Sequence, residues 1–277
     1  MFFRCLSAVL LISFSLPAAS GRVIRVCADP NNLPFSNRAG EGLENRLAEL
    51  VANHLEAELK YVWWAERKSF LRNSLQAGLC DLVMGVPSTL DSVSVTQPYY
   101  QSTYVFAERA DRRLNITSLN DPRLEQLKIG IHLVGDNYAP PAHLLARLGL
   151  AAQLTGYRLN GPLGEPNPPF QLIDAVVNGD VDVAIIWGPF AGYFAQSHPA
   201  TLRITPVSPS SFLAVPFAYA ISAAVRKDDT SLRDEVDRVF TAECAKIAAI
   251  LGQYGIAGIQ EVPAKCDSSQ PAAAFSH

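Results

Sequence analysis

The chain has 277 residues, 49% hydrophobic and 18% charged, and a net charge of −3. It carries no basic stripe, which argues against nucleic acid as a partner, and no basic amphipathic helix of the kind that docks on membranes. Beyond the first residues no run reaches about 18 apolar residues, so stable membrane insertion is not expected.

Arg4, the apolar stretch Leu6 to Leu16 and the small residues Ala18-Ala19-Ser20-Gly21 have the layout of a secretory signal peptide over 1–21. Cys5 lies ahead of the apolar stretch and no cysteine follows the cleavage region, which argues against a lipid anchor. The mature protein is expected in a bacterial periplasm, with about 255 residues left for one large core or two modest domains.

A strand is predicted over Val23–Asp29, and the run VCADPNNLPFSN, Val26 to Asn37, ends it. Pro30 and Pro34 fix φ and remove two donors, so neither strand nor helix continues. What remains is a stiff loop at the carboxyl end of a strand, where open α/β sheets bind ligands. Asp29, Asn31, Asn32 and Asn37 offer acceptors there and Phe35 a covering ring, so the loop reads as cleft lining. The apolar stripe Leu47, Leu50, Val51, His54 and Leu55 predicts a helix over Glu44–Leu59. A strand over Leu59–Trp64 follows, then a short helix Ser69–Ala77 with Ser69 as N-cap and Gly78 past its end, then a buried strand Leu82–Gly85.

The second stretch repeats the alternation. It predicts a strand over Tyr104–Arg109, a turn at Asn120-Asp121-Pro122, and a strand Leu127–Leu133 ending in Val134-Gly135-Asp136-Asn137. A helix from Pro141 to Leu148 comes next, then an irregular loop Asn160–Pro169 rich in proline and glycine. A helix Gln171–Asn178 closed by Gly179 and a strand Val181–Gly188 complete it. Thus βαβ units occupy about 22–105 and 110–216, which means mainly parallel sheets with crossover helices. The C-terminal part predicts a strand Phe217–Arg226 and one long helix Ser231–Gln253, opened by the capping-box spacing of Ser231 and Asp234. The tail 267–277 has no periodicity and is expected to be disordered.

Four cysteines follow the signal peptide, Cys27, Cys80, Cys244 and Cys266, and an oxidising compartment allows three connectivities among them. Cys27 ends the first strand and Cys80 opens the strand Cys80–Gly85. If those strands are neighbours the pairing is Cys27–Cys80, worth about 4 kcal/mol by loop entropy, leaving Cys244–Cys266. No CxxC and no histidine cluster offers a metal site, and no cofactor motif is present.

Three segments carry a family resemblance. Val26–Phe35 followed by Gly42-Leu43-Glu44, Gly78–Gly85 leading to Thr96-Gln97-Pro98-Tyr99-Tyr100, and Gly179-Asp180-Val181-Asp182-Val183-Ala184 followed by Pro189 resemble the periplasmic solute-binding proteins of the amino-acid-receptor type. The resemblance implies the two-lobed type II fold, each lobe a mainly parallel α/β sheet flanked by helices and joined by two crossover strands. Lobe I would hold 22–106 and 217–266, and lobe II 107–216. VCADPNNLPFSN, CDLVMGVP, PYYQSTYVF and WGPFAGYF together resemble the MoxJ/XoxJ group, homologues associated with quinoprotein dehydrogenases. That resemblance implies a non-enzymatic accessory, an activation or maturation partner of a PQQ-dependent methanol or alcohol dehydrogenase, with its c-type cytochrome as a further candidate partner. The alternative is an ABC-importer receptor for a small aromatic or organic ligand that is not an amino acid.

Amino-acid receptors of this type use an arginine after the third strand for the carboxylate and an acid near the end of the Asp182 strand for the ammonium. Here Gly85 to Pro98 holds no arginine, and Trp187 stands in the acid's register. A buried zwitterion without counter-charges costs several kcal/mol per ion, so a free amino acid is a poor ligand. Arg67 and Lys68 are the nearest basic substitutes. The expected cleft residues are Asp29, Asn31, Phe35, Asn37, Trp64, Arg67, Pro87, Tyr99, Asn137, Trp187 and Tyr193, with Trp63 and Tyr100 as further rings. Asn137 stands where such lobes present a helix N-terminus to an anion, although Pro140 and Pro141 remove donors there. Asp29, Asp91 and Asp136 are available acids, but no acid–base or nucleophile spacing marks an enzyme.

Overall fold

A computed structural model describes residues 21–65, 69–134, 137–159, 168–197 and 201–256. The expected signal peptide, the tail, Arg67, Lys68, Asp136 and Cys266 lie outside these residues.

β1 (Val23–Ala28) is buried over most of its length, as a strand covered on both faces must be. It pairs in parallel with β4 (Glu58–Trp63) and β5 (Leu82–Pro87). The Asp81 carboxylate takes the Arg25 N–H and its guanidinium, which fixes the register at the base of β5. Two short strands, β2 (Asn31–Asn32) and β3 (Ser36–Asn37), form a small hairpin after β1. Helix α1 (Leu43–His54) buries Leu43, Leu47 and Val51, one residue per turn on a single face.

β6 (Ser94–Val95) leads to β7 (Tyr100–Arg109), the longest strand described. Its first part, Tyr100–Thr103, pairs antiparallel with β15 (Ala218–Val225), and its second, Tyr104–Glu108, with β11 (Val183–Trp187). β7 therefore passes from one half of the molecule to the other, and β15 returns beside it. In the far half β8 (Ile129–Val134) pairs in parallel with β10 (Leu154–Arg158) and β11. β9 (Asn137–Tyr138) folds back on β8, and β12 (Leu202–Pro206) pairs with β7. A separate hairpin joins β13 (Ser211–Phe212) to β14 (Val215–Pro216). Among the described residues the main sheet runs β10-β8-β11-β7-β15-β5-β1-β4. It is a mixed α/β sheet whose two parallel units meet at an antiparallel pair.

Helices α3 (Pro141–Arg147), α4 (Gln171–Asn178) and α5 (Gly188–Ser197) cover the far half, and α1, α6 (Thr230–Ala242) and α7 (Cys244–Gln253) the near one. A four-residue helix α2 (Phe70–Asn73) sits over the Cys27–Cys80 disulfide, whose Cα atoms lie 5.6 Å apart. That bridge anchors a small apolar cluster of Phe70, Leu75, Val83, Val86, Val93 and Ala224. Cys244 is buried at the start of α7, but the second expected pairing rests on Cys266, outside the described residues.

Several sequence expectations are corrected. The first helix stops at His54 rather than Leu59, because Glu56 takes a left-handed turn (φ 50°) and β4 has begun by Glu58. Ser69 does stand at the N-cap position of α2, but it is left-handed and its hydroxyl caps no N–H, accepting from Arg72 instead; the helix ends at Asn73 rather than Ala77. The long C-terminal helix is two helices that break at Glu243, whose carboxylate meets His54 of α1 and Lys246. Its N-cap is Asp229, which accepts from the Leu232 N–H, and Ser231 lies inside the helix. The Val181–Gly188 strand begins only at Val183, since Asp182 turns its carboxylate to the Lys128 N–H and Arg112. Gly188 already opens α5.

Candidate functional site

The hairpin after β1 is built by its own polar side chains. The Ser36 hydroxyl donates to the Asp29 carbonyl at 2.8 Å, and the Asp29 carboxylate accepts from the Asn31 N–H at 2.8 Å. Asn37 brackets Glu41, donating to its carboxylate at 2.8 Å and accepting from its N–H at 2.9 Å. The Asn37 N–H goes to Asn45 Oδ1 at 3.0 Å. Gly42 lets the chain pass under Phe35, since a Cβ there would fall 2.1 Å from the Phe35 carbonyl oxygen. Asp29 and Asn37 thus spend polar groups on holding the loop.

Phe35 is buried and meets Phe190 of α5 edge-on at 5.2 Å, so this loop touches the far half of the molecule. Phe190 in turn packs edge-on against His132 at 5.3 Å. His132 is buried, with Nε2 3.0 Å from the Pro169 carbonyl. Desolvation lowers its pKa to about 4, so the ring is neutral at ordinary pH. On the same side Tyr193 of α5 is stacked between Phe170 at 5.8 Å and Tyr254 at 5.7 Å. The Tyr254 hydroxyl donates to the Glu41 carbonyl, and the Gln196 amide to the Gly252 carbonyl at 2.8 Å. Helix α5 is therefore fastened to the near half along one seam.

A second group of rings lies on the crossing strands. Trp187, the last residue of β11, stands opposite Tyr104 of β7 and packs on it at 5.5 Å. Tyr219 of β15 also meets Trp187, edge-on at 5.8 Å. Burial raises the pKa of both phenols. Below, the Ser88 hydroxyl joins the Ala220 carbonyl at 2.9 Å and the Ser222 hydroxyl at 2.7 Å, tying the loop after Pro87 to β15.

A third group stands at the carboxyl ends of β1 and β4, where Trp63 is the register partner of Ala28. Trp63 stacks on Tyr61 at 4.6 Å, and the Arg38 guanidinium lies 5.6 Å from the Trp63 ring centre.

The expected cleft residues are thus spread over distinct places. Phe35 and Tyr193 lie in the seam with α5, and Trp187 on the crossing strands. Asp29, Asn31 and Asn37 belong to the loop hairpin. Pro87 is half-buried at the end of β5, Trp64 is exposed past β4, and Asn137 is exposed on β9 rather than at a helix start. Tyr99 is inside the core against Tyr100 and Phe240, and its hydroxyl accepts from the Gly85 N–H at 2.9 Å. Arg67 lies outside the described residues. Sequence reasoning missed Arg38, His132, Tyr104 and Tyr219. It also missed Glu44, whose carboxylate sits over Gly85: a Cβ there would meet Glu44 Oε1 at 1.9 Å. Gly85 itself, with φ +74°, was the available signal for that close approach.

Among the described residues no group of three or more potential metal ligands gathers, and no helix is long and apolar enough to cross a membrane. An open concavity of about 390 Å³ lies at the other end of β1, lined by Arg22, Arg25, Asp81, Asp229 and Glu235. Its charges are already matched, Arg22 with Glu235 and Arg25 with Asp81.

The family model of bacterial extracellular solute-binding proteins, family 3, matches residues 24–255. Protein MoxJ of Methylorubrum extorquens is 31% identical over 245 residues, 84% of this chain and 80% of that one. Protein MoxJ of Paracoccus denitrificans is 26% identical over 266 residues, 91% of this chain and 95% of that one. The crystal structure of MxaJ from Methlophaga aminisulfidivorans superposes with a TM-score of 0.73 at 27% identity, covering 84% of this chain and 98% of that one. The periplasmic binding protein XoxJ from Methylobacterium extorquens superposes with a TM-score of 0.68 at 31% identity, with the same coverage, 84% and 98%.

Proposed function

The chain belongs to the bacterial extracellular solute-binding proteins of family 3, and from that membership we propose that it is a non-catalytic periplasmic binding protein that no longer serves amino-acid import. In this reading it is the accessory of a PQQ-dependent methanol or alcohol dehydrogenase, acting in activation or maturation, with the enzyme's c-type cytochrome nearby. In this reading its lobes divide near residues 106 and 216.

The observation that carries the reading is Trp187. In the register where amino-acid receptors place the ammonium-binding acid, this chain puts an indole, closed in by Tyr104 and Tyr219. An ammonium brought there would lose its water and gain no counter-charge, a cost of several kcal/mol. Rings with polar edges suit a partner's side chain or an apolar ligand instead. The similarity to MoxJ and XoxJ supports the choice of partner.

The test is size-exclusion chromatography of the mature chain with the purified dehydrogenase. Co-elution, together with a change in the active fraction of a freshly reconstituted enzyme, is the expected result. Recovery of permease and ATPase components from native periplasm and membranes, with no dehydrogenase, would refute it.

A further inference from the structure

Arginines in this protein usually spend their guanidinium edge on a neighbouring acid. Arg25 does so on Asp81, Arg109 on Asp111, Arg112 on Asp182 and Arg226 on Asp229. Arg38, like Arg72 and Arg113 among others, makes no ion pair among the described residues; it is exposed, and among them its guanidinium alone is placed over a ring, 5.6 Å from the Trp63 centre. Trp63 is itself braced by Tyr61, stacked at 4.6 Å, and the Tyr61 hydroxyl donates to the Asn45 carbonyl of α1 at 3.3 Å. The Arg38 N–H is tied to the Pro30 carbonyl at 3.1 Å. The guanidinium thus lies within cation–ring distance of Trp63 and makes no ion pair among the described residues, so its fork of donors can meet a carboxylate through two parallel hydrogen bonds.

Its place matters as much as its bonding. Arg38 directly follows β3, in the hairpin whose Phe35 touches Phe190 of the far half. It stands at the carboxyl ends of β1 and β4, the side on which open α/β sheets receive ligands. The chain has no arginine between Gly85 and Pro98, and it has Trp187 in place of an acid. We infer that Arg38, beside Trp63, is a carboxylate-binding group at the carboxyl ends of β1 and β4. Its ligand is a carboxylate with no ammonium beside it, supplied as a free organic acid or as an acidic side chain of a protein partner. The second source rests on the partnership proposed above.

The experiment titrates the mature chain with benzoate, phthalate and succinate against benzamide at constant ionic strength, followed by tryptophan fluorescence. In parallel it measures affinity for the dehydrogenase. Arg38→Ala, Arg38→Lys and Trp63→Leu are compared with the parent, and unchanged unfolding midpoints for the two Arg38 variants show that the fold is kept. If the ligand is a free acid, an acid but not benzamide saturates the parent, and Arg38→Ala weakens it roughly tenfold or more. Arg38→Lys follows because it keeps the charge without the fork. If the carboxylate belongs to the partner, the acids do nothing and the same variants weaken dehydrogenase binding. Equal dehydrogenase binding by parent and Arg38→Ala, with no Arg38-dependent acid binding, overturns the inference and leaves the accessory reading standing. Arg38-dependent acid binding with no dehydrogenase binding does the reverse. Binding of neither overturns both.

Discussion

Single atoms decide several positions in this protein, and Gly42 shows how. An added methyl would enter the space of the Phe35 carbonyl, a backbone atom that cannot swing away. Gly42→Ala should therefore cost about 2–4 kcal/mol, whereas Gly78→Ala, with positive φ but nothing within 4 Å of the new carbon, should cost about 1 kcal/mol. Urea unfolding of the two variants measures the difference. His132 adds a pH dependence. Its folded pKa of about 4 lies below the ordinary 6.5, so the folded state favours the neutral ring. The associated stability is complete above about pH 6.5 and is lost as pH falls toward 4, up to about 3 kcal/mol. His132→Gln should flatten the stability profile in that window, and an unchanged profile would show that the buried ring does not govern it.

At the scale of elements, local chemistry was legible and distant contacts were not. Helix α4 could be read from the sequence because Gly179, at φ +82°, ends it by a purely local rule. The Cys27–Cys80 bridge could be read because it needs only two neighbouring strand ends. The break between α6 and α7 could not, since Glu243 there meets His54, 189 residues away in sequence. The cap was misassigned because Ser231 and Asp234 imitate a capping box two residues too late. Asp229→Ala should accordingly lose about 1 kcal/mol of stability while Ser231→Ala is near neutral, which thermal unfolding of the two variants would show. The candidate site divides the same way. VCADPNNLPFSN reads as a stiff loop from its prolines alone. That Phe35 would meet Phe190, or that Arg38 would find Trp63, depends on how helix α5 and strand β4 are placed, and no periodicity in the sequence encodes that.

Taken whole, the molecule keeps the architecture of a receptor with a different inner chemistry. Its halves are joined by β7 and β15 and by the α5 seam, where the contacts among the described residues are aromatic rings and hydrogen bonds from side chains to backbone carbonyls. The apolar core includes Leu43, Leu47 and Val236 of the near half and Leu172, Ile186 and Phe190 of the far one. On the crossing strands Trp187 packs with Tyr104 and Tyr219, and in the proposed reading these rings stand where a receptor would place an acid. Arg38, exposed after β3, lies 5.6 Å from the Trp63 ring centre. The account therefore turns on whether the protein can hold a zwitterion. The most direct measurement is the unfolding temperature of the mature chain with each common amino acid at about 1 mM. A receptor with the ligand at about 100 times its Kd would gain about 2.7 kcal/mol, a rise of roughly 5–10 °C. The account predicts no rise with any of them; a rise of that size with even one amino acid would contradict it.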